Sequence, residues 1–201
     1  MSVAREPEDQ ELLRRAATGD REAFAALFRR HRHAVYRFAL NMSGSHATAE
    51  EVTQEVFMTL IREPDSYDPN RGSVAAFLYG IARNHVLRVR KREWRFAGLP
   101  DGEGDPDSAV WAAEDSTIRD LIRDEEALAV RKAILSLPPV HREVVVLCEL
   151  EELSYAQAAD ILGCAIGTVR SRLHRARQSL RRTLESLLEG DRKRREAPEA
   201  G

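Results

Sequence analysis

Residues 153–177 read LSYAQAADILGCAIGTVRSRLHRAR, and this stretch by itself predicts two helices joined by a tight turn. Ser154 and Gln157 have the S-x-x-Q spacing of a capping box, which starts a helix by satisfying its free amide donors. Gly163 tolerates the positive φ that a turn requires, and the second helix is predicted from about Gly167 to Leu188. The stretch therefore predicts a helix-turn-helix.

The second predicted helix has one apolar stripe and an opposite face rich in hydrogen-bond donors. The stripe consists of Val169, Leu173, Ala176, Leu180 and Leu184, and must face a core. The opposite face and its flanks carry Thr168, Arg170, Ser171, Arg172, His174 and Arg175. Arginine pairs bidentately with guanine in the major groove, so these six residues are candidates for reading duplex DNA. The alternative interpretation is a solvated, arginine-rich helical hairpin. The helix cap, the turn, the apolar stripe and the basic face occur together, however, and their combination favours DNA binding.

The remaining sequence predicts an all-α fold, because helical periodicity recurs and no alternating strand pattern stands out. We expect two small helical domains joined by a flexible acidic linker, with the helix-turn-helix in the C-terminal domain. The linker is identified by its composition, two basic against ten acidic residues, although the whole chain has a net charge of only −2. The predicted boundaries are 8–96, the linker 97–126, 127–189 and a disordered tail 190–201.

Local signals place several helix boundaries in the predicted N-terminal domain. Thr48 and Glu51 have capping-box spacing, which predicts a helix that begins at Ala49. Ser73 is predicted to cap the next helix, Val74–Asn84, and a break is expected at Asn84 and His85 before the basic segment that follows.

Enzyme classes find no support in the motifs. Cys148 and Cys164 lack zinc or disulfide spacing, and the pair His31 and His33 points to different sides of a helix. There is no P-loop and no G-x-S-x-G sequence. We therefore expect no catalytic residues, no metal site and no cofactor. Two cysteines, no apolar run of membrane-spanning length and a charged N-terminus predict a cytoplasmic protein without a membrane span.

Two segments of the N-terminal domain carry patterns typical of binding surfaces. Residues 77–96 interleave arginines with Trp94 and Phe96, which suits a phosphate backbone with unstacked bases but also a basic surface helix. Residues 50–61 place Glu51 and other polar side chains opposite an apolar stripe, which suits either a basic partner helix or plain solvation. Each segment alone leaves both interpretations open.

Taken together, the segments resemble the extracytoplasmic-function group of the bacterial sigma-70 family. The resemblance rests on five stretches: GDREAFAALFRRH (19–31), AEEVTQEVFM (49–58), AAFLYGIARN (75–84), LPPVHREVVVL (137–147) and the helix-turn-helix extended to 181. Their order and spacing together are specific. The resemblance departs at Phe77, where a tryptophan is usual, at Arg88, where an aspartate is frequent, and at Ala165, where a proline is common.

The resemblance implies a role for each surface. Glu51, Gln54 and Glu55 would dock on the clamp helices of the largest subunit of core RNA polymerase, and the C-terminal domain would rest on the flap of the second-largest subunit. Asn84 and His85 would lie in a short loop that captures a flipped base at the minus-10 promoter element, and Arg88 and Arg92 would hold the backbone around it. Arg170, Ser171, His174 and Arg175 match the positions that read the minus-35 element, and Thr168 and Arg172 beside them are candidates for the same contact.

The expected function is promoter-specific transcription initiation as an alternative sigma factor bound to core RNA polymerase. An anti-sigma factor is an expected partner, since the resemblance implies regulation by one. Asp101, Glu103, Asp105 and Asp107 of the linker either mimic nucleic acid in a polymerase channel or are simply solvated. The competing function is a helix-turn-helix regulator that acts without being a polymerase subunit, which would need a ligand pocket or phosphoacceptor domain in residues 1–96.

Overall fold

The computed structural model describes residues 8–96 and 125–196, and all regular structure in these two ranges is helical. The N-terminal unit contains α1 (Asp9–Ala17), α2 (Arg21–Ser43), α3 (His46–Arg62) and α4 (Val74–Phe96), with short 3₁₀ turns at Pro64–Ser66 and Pro69–Arg71. The C-terminal unit contains α5 (Glu125–Leu135), α6 (Pro139–Val145), a π-helical turn (Val146–Leu150), α7 (Tyr155–Leu162) and α8 (Ile166–Glu196). The predicted all-α class with a C-terminal helix-turn-helix is confirmed; residues 97–124 of the linker lie outside the described ranges.

Side chains spaced at helical intervals build the core of the N-terminal unit. Leu27 and Phe38 of α2 have no solvent exposure, and neither do Val52 and Val56 of α3. Leu78 of α4 completes the contact with 1% exposure. Helices α2, α3 and α4 pack pairwise on this core. The relative positions of their outer faces are therefore fixed.

Side-chain caps set the starts of α2 and α3. Asp20 caps α2 as its carboxylate Oδ1 accepts hydrogen bonds from the amides of Glu22 and Ala23, at 3.0 and 3.1 Å. The predicted capping box at Thr48 is wrong, because α3 begins three residues earlier, at His46. Ser45 follows the helix-ending glycine of α2 and its hydroxyl accepts from the amide of Thr48, so the earlier cap starts the helix.

The predicted break at Asn84 and His85 is also wrong, since α4 continues through both residues. Its 23 residues contain no proline, and Gly80 is the single glycine, so nothing in the sequence removes a backbone hydrogen bond at that point. Asn84 and His85 therefore lie on a helix rather than in a loop.

The end of the chain is more helical than the sequence suggested. The helix α8 runs to Glu196 where a disordered tail from residue 190 was predicted. Gly190 lowers the helix propensity without ending the helix, residues 191–196, DRKRRE, are mostly good helix formers, and the first proline after them is Pro198. Similarly, α5 already begins at Glu125, inside the predicted linker.

The two units pack directly against each other. α4 contacts α7, while α2 contacts α5, α6 and the π-helical turn. A continuous set of buried apolar side chains extends through both units. No local pattern in the sequence indicates this contact between the units.

One residue in the C-terminal unit has a strained backbone and supplies a stability prediction. Glu152 has φ +54° and is the one residue other than glycine with positive φ in the described ranges. We expect Glu152→Gly to stabilise the protein by about 0.5–1 kcal/mol, since glycine adopts this conformation without steric cost. Thermal unfolding followed by circular dichroism measures the change. Glu152→Ala removes the carboxylate without relieving the strain, so an equal gain in that variant would contradict the explanation.

Candidate nucleic-acid interface

The helix-turn-helix is assembled by local hydrogen bonds. The Ser154 hydroxyl accepts from the Gln157 amide at 3.2 Å, and Gln157 Oε1 accepts from the Ser154 amide at 3.0 Å, so the predicted capping box is present. Gly163 ends α7 with φ +63°, as a left-handed turn residue should. The angle between α7 and α8 is therefore set by residues that the sequence identifies.

The N-terminal part of α8 presents the predicted DNA-reading face to solvent. Val169 and Ala176 have no exposure and Leu173 has 2%, so the stripe between them anchors the helix on the C-terminal unit. Of the six predicted residues, Arg170, Ser171, His174 and Arg175 are exposed, whereas Thr168 and Arg172 are half-buried. The structure thus brings all six to one end of one helix, with four fully accessible to a ligand.

A seventh residue, His141 at the start of α6, adjoins this face. Burial lowers the pKa of His141, and the positive charges of Arg175 and Arg172 lower it further. The imidazole is therefore neutral at physiological pH and sits beside the two guanidinium groups. Sequence reasoning missed His141, because nothing in its local pattern shows that α6 begins next to α8.

Further along α8 two arginines are engaged by carboxylates. Arg177 donates to Glu149 of the π-helical turn, and Arg181 donates to Glu185 at 2.8 Å. These pairs partly neutralise the C-terminal half of the helix. Base-reading capacity is thereby concentrated in its first turns.

The four residues predicted to contact the minus-10 element lie along one side of α4. Asn84 is exposed and lines a cavity of about 250 Å³ together with Tyr67, Phe77 and Ile81 of the N-terminal unit. Arg88 follows one turn after Asn84, and His85, Arg88 and Arg92 recur at helical spacing toward α3. The cavity at Asn84 therefore adjoins the row formed by the other three candidates.

The cationic side of α4 adjoins the predicted polymerase-binding residues. Arg88 Nη2 lies 3.2 Å from His85 Nε2, and Arg92 Nη2 donates to Glu51 Oε2 at 3.2 Å. Burial and the Arg88 charge lower the pKa of His85, although Glu51 and Glu55 oppose that shift. The cationic side of α4 and the predicted polymerase-binding residues of α3, which were interpreted separately from the sequence, are thus joined by an ion pair.

Gln54 faces a different surface, an apolar groove between α2 and α3 that the sequence did not reveal. Its aromatic walls are Phe24, Phe28 and Tyr36, and the groove extends to Ile61, whose side chain is 57% exposed. The Arg32 guanidinium lies 5.7 Å from the centroid of the Phe28 ring. Phe24 and Phe28 are half-buried, and their partial exposure in this groove could not be predicted from helical periodicity.

Other kinds of site find no support in the described ranges. No group of three histidine, cysteine or acidic side chains there could hold a metal ion, and both cysteines are free thiols. None of the helices in the described ranges has the length and hydrophobicity that crossing a membrane requires.

Comparison with known proteins identifies the family of the chain. Sequence models of Sigma-70 region 2 and Sigma-70 region 4 match residues 27–96 and 127–180. The chain is 40% identical over 171 residues to the ECF RNA polymerase sigma factor SigE of Mycolicibacterium smegmatis, covering 82% of this chain and 64% of that relative. It is 31% identical over 183 residues to SigW of Bacillus subtilis, covering 87% of this chain and 96% of SigW.

Solved structures give the same result. The sigma factor RpoE in complex with the anti-sigma factor NepR from Bartonella quintana matches with a TM-score of 0.63 at 30% identity, covering 81% of this chain and 96% of RpoE. CnrH in complex with the cytosolic domain of CnrY also matches at 0.63, with 25% identity, covering 91% of this chain and 98% of CnrH. The chain belongs to the extracytoplasmic-function group of the sigma-70 family of transcription-initiation factors. It contains the two regions that the family models describe, one in each helical unit.

Proposed function

We propose that this chain binds core RNA polymerase in the cytoplasm and directs it to promoters, recognising the minus-35 element with α8 and the minus-10 element with α4. The observation that carries the proposal is the exposed donor face of α8 on a buried apolar stripe, in the same chain as a region 2 match. A helix-turn-helix regulator independent of polymerase is not favoured, because the match to sigma region 2 occupies residues 27–96, where that alternative needs a regulatory domain.

The minus-35 element is proposed to be read by the exposed residues of α8. Arg170 and Arg175 can donate bidentately to guanine, and Ser171 and His174 can contact neighbouring base edges or phosphates. Thr168 and Arg172 are half-buried and are better placed at the border of the contact.

At the minus-10 element we propose that residues of α4 make two kinds of contact with DNA, one with a base and the other with the phosphate backbone. Asn84, at the mouth of its cavity, is the candidate for a base taken out of the stack, since an amide side chain can hydrogen-bond a base edge and Tyr67 and Phe77 supply aromatic surface. His85, Arg88 and Arg92 would then follow the phosphate backbone along the side that faces α3. This chain performs no bond-making step in the proposed function.

The polymerase contact is proposed to use α3 and the apolar groove beside it. Glu51 and Gln54 are exposed and Glu55 is half-buried, so the acidic edge of α3 is available to a basic partner helix. The aromatic groove next to Gln54 supplies the apolar surface that a stable docking site needs. The same proposal includes a contact between the C-terminal unit and the flap of the second-largest polymerase subunit, and no residues are assigned to that contact.

Regulation by an anti-sigma factor is proposed from the relatives. RpoE, which shares this fold, was solved with the anti-sigma factor NepR, and CnrH was solved with the cytosolic domain of CnrY. A partner of this kind would compete with polymerase for the same surfaces.

Run-off transcription tests the proposal. Core RNA polymerase supplemented with the purified chain is expected to produce discrete transcripts from a subset of genomic fragments, including the chain's own upstream region. Core polymerase alone serves as the control. Transcripts that are identical with and without the chain would contradict the proposal.

The polymerase-binding surface gives a separate prediction. The double substitution Glu51→Lys and Gln54→Lys is expected to weaken core binding at least about 10-fold, because like charges then face a basic partner. Fluorescence anisotropy with labelled chain measures the dissociation constant. Glu185→Lys, an exposed charge reversal on α8, is the control and should leave core binding unchanged.

A further inference from the structure

The imidazole of His174, on the exposed face of α8, contacts a side chain one turn further along the helix. Gln178 Nε2 lies 3.0 Å from His174 Nε2. Both side chains are exposed, and their spacing of four residues makes them neighbours on one side of the helix. Gln178 lies outside the six residues that were predicted to read DNA.

The chemistry of the two nitrogen atoms determines the direction of this hydrogen bond. The side-chain amide nitrogen of glutamine carries two hydrogens and cannot accept, so Gln178 Nε2 is the donor. His174 Nε2 is therefore the acceptor and carries no hydrogen. In a neutral imidazole the other ring nitrogen then carries the proton, so His174 presents Nδ1–H to a ligand.

Two other side chains three residues from His174 have partners of their own. The Ser171 hydroxyl donates at 3.0 Å to the carbonyl of Thr168, and Arg177 donates to Glu149 of the π-helical turn. Neither side chain competes with Gln178 for the imidazole nitrogen. The tautomer of His174 is thus set by Gln178.

The tautomer of a histidine decides which base edge it can bind in the major groove. Guanine presents two acceptors there, N7 and O6, whereas cytosine presents the donor N4 amino group. The Nδ1–H form of His174 can donate to guanine, and the opposite tautomer can accept from cytosine at the same ring position. The ratio of the two tautomers in the free chain therefore enters directly into the preference for guanine over cytosine.

We propose that Gln178 is a positioning residue that makes His174 a hydrogen-bond donor, so that the base contacted by His174 is guanine in preference to cytosine. This inference rests on the proposed function, because it requires α8 in the major groove of the minus-35 element. Gln178 acts through the imidazole and does not contact DNA. A hydrogen bond between side chains four residues apart shifts the ratio of tautomers by about 2- to 5-fold.

Nitrogen-15 NMR of the full chain tests the tautomer directly, because the chemical shift of a ring nitrogen depends on whether it carries a proton. The chain has six histidines, and the signals of His174 are those missing from a His174→Asn variant. We expect Nδ1–H to be the major neutral form in the unmodified chain. Gln178→Met, which has no donor, should lower the ratio of Nδ1–H to Nε2–H by about 2- to 5-fold. A ring protonated mainly at Nε2 in the unmodified chain would overturn the proposal.

Run-off transcription with core polymerase and the full chain tests the base preference. Each base pair of the minus-35 element is replaced in turn by the other three, and His174→Ala identifies the position that His174 reads by abolishing the preference there. We expect a G·C pair in one orientation to exceed the inverted pair at that position. Gln178→Met should lower this ratio by the same factor as the tautomer ratio. A ratio that Gln178→Met leaves unchanged, or His174→Ala without effect at any position, would overturn the proposal.

Two further variants separate the donor from other properties of Gln178. Gln178→Lys keeps a donor at this position, so it should retain the base preference while its added charge strengthens binding to all sequences alike. Gln10→Met makes the same chemical change at an exposed position of α1 and should alter neither the tautomer ratio of His174 nor the base preference. Loss of the preference in Gln178→Lys as well as in Gln178→Met would contradict the role of the donor.

The outcomes separate this proposal from the sigma-factor function. Promoter-specific transcripts whose base preference does not depend on Gln178 would overturn the positioning role and leave the sigma-factor function intact. Absence of specific transcripts with the unmodified chain would instead contradict the proposed function. The NMR measurement needs neither polymerase nor DNA, so it tests the hydrogen bond between Gln178 and His174 in either case.

Discussion

Replacing Arg142 with leucine is expected to lower the free energy of unfolding by about 3–5 kcal/mol, the largest stability effect of any single substitution considered for this chain. Arg142 is 1% exposed and donates to the carbonyls of Leu135, Leu137 and Met42. Burial lowers its pKa to about 10, which still leaves the guanidinium protonated near neutral pH. Leucine fills part of the volume but leaves three carbonyl oxygens without their donor. Urea unfolding monitored by circular dichroism measures the loss.

Two further variants separate the hydrogen bonds of Arg142 from its charge. Arg142→Lys keeps the positive charge, but the lysine ammonium lacks the planar guanidinium fork that reaches three carbonyls. We therefore expect an intermediate loss of stability. Arg182→Leu, on the exposed surface of α8, should change stability by less than about 0.5 kcal/mol. Equal stability of Arg142→Leu and the unmodified chain would show that the buried guanidinium has no structural role.

Arg175→Ala is expected to reduce promoter-specific transcription by about 10- to 100-fold, the loss that follows from one bidentate base contact. Arg175 is exposed on the donor face of α8, one position before the buried Ala176 that anchors the helix. The side chain can therefore be removed without disturbing the core. Run-off transcription from a promoter identified with the unmodified chain measures the effect.

The control for Arg175 is another exposed arginine of the same helix. Arg182→Ala removes the same chemical group beyond the first turns of α8 and should preserve most transcription. Arg175→Ala is also expected to relax the requirement for a specific base in the minus-35 element, whereas loss of a phosphate contact weakens all sequences equally. Unchanged transcription with Arg175→Ala would remove this residue from the interface.

The parts of the fold that depend on neighbouring residues could be predicted from the sequence. The capping box at Ser154 and Gln157 and the left-handed Gly163 were predicted and are present. Of the predicted stripe of α8, Val169, Leu173 and Ala176 are buried, whereas Leu180 and Leu184 are half-buried. One prediction failed because a second local signal competed, since Ser45 caps α3 before Thr48 can. Another failed because no residue near Asn84 interrupts the backbone hydrogen bonds of α4.

The contact between the units could not be predicted, because it depends on pairs that are distant in sequence. Arg142 bonds a carbonyl 100 residues away, and Arg83 meets Glu143 across 60 residues. Each of these side chains is typical of a solvated surface when it is considered alone. The cavity at Asn84 could not be predicted for the same reason, because its walls come from elements that are distant in sequence.

The central claim, that the chain is a subunit that gives core RNA polymerase its promoter specificity, is tested most directly by equilibrium titration of the labelled chain with purified core enzyme. The account predicts a saturable one-to-one complex that Glu51→Lys with Gln54→Lys weakens and Glu185→Lys does not. Absence of any complex, for a chain refolded from denaturant so that no inhibitor accompanies it, would contradict the account.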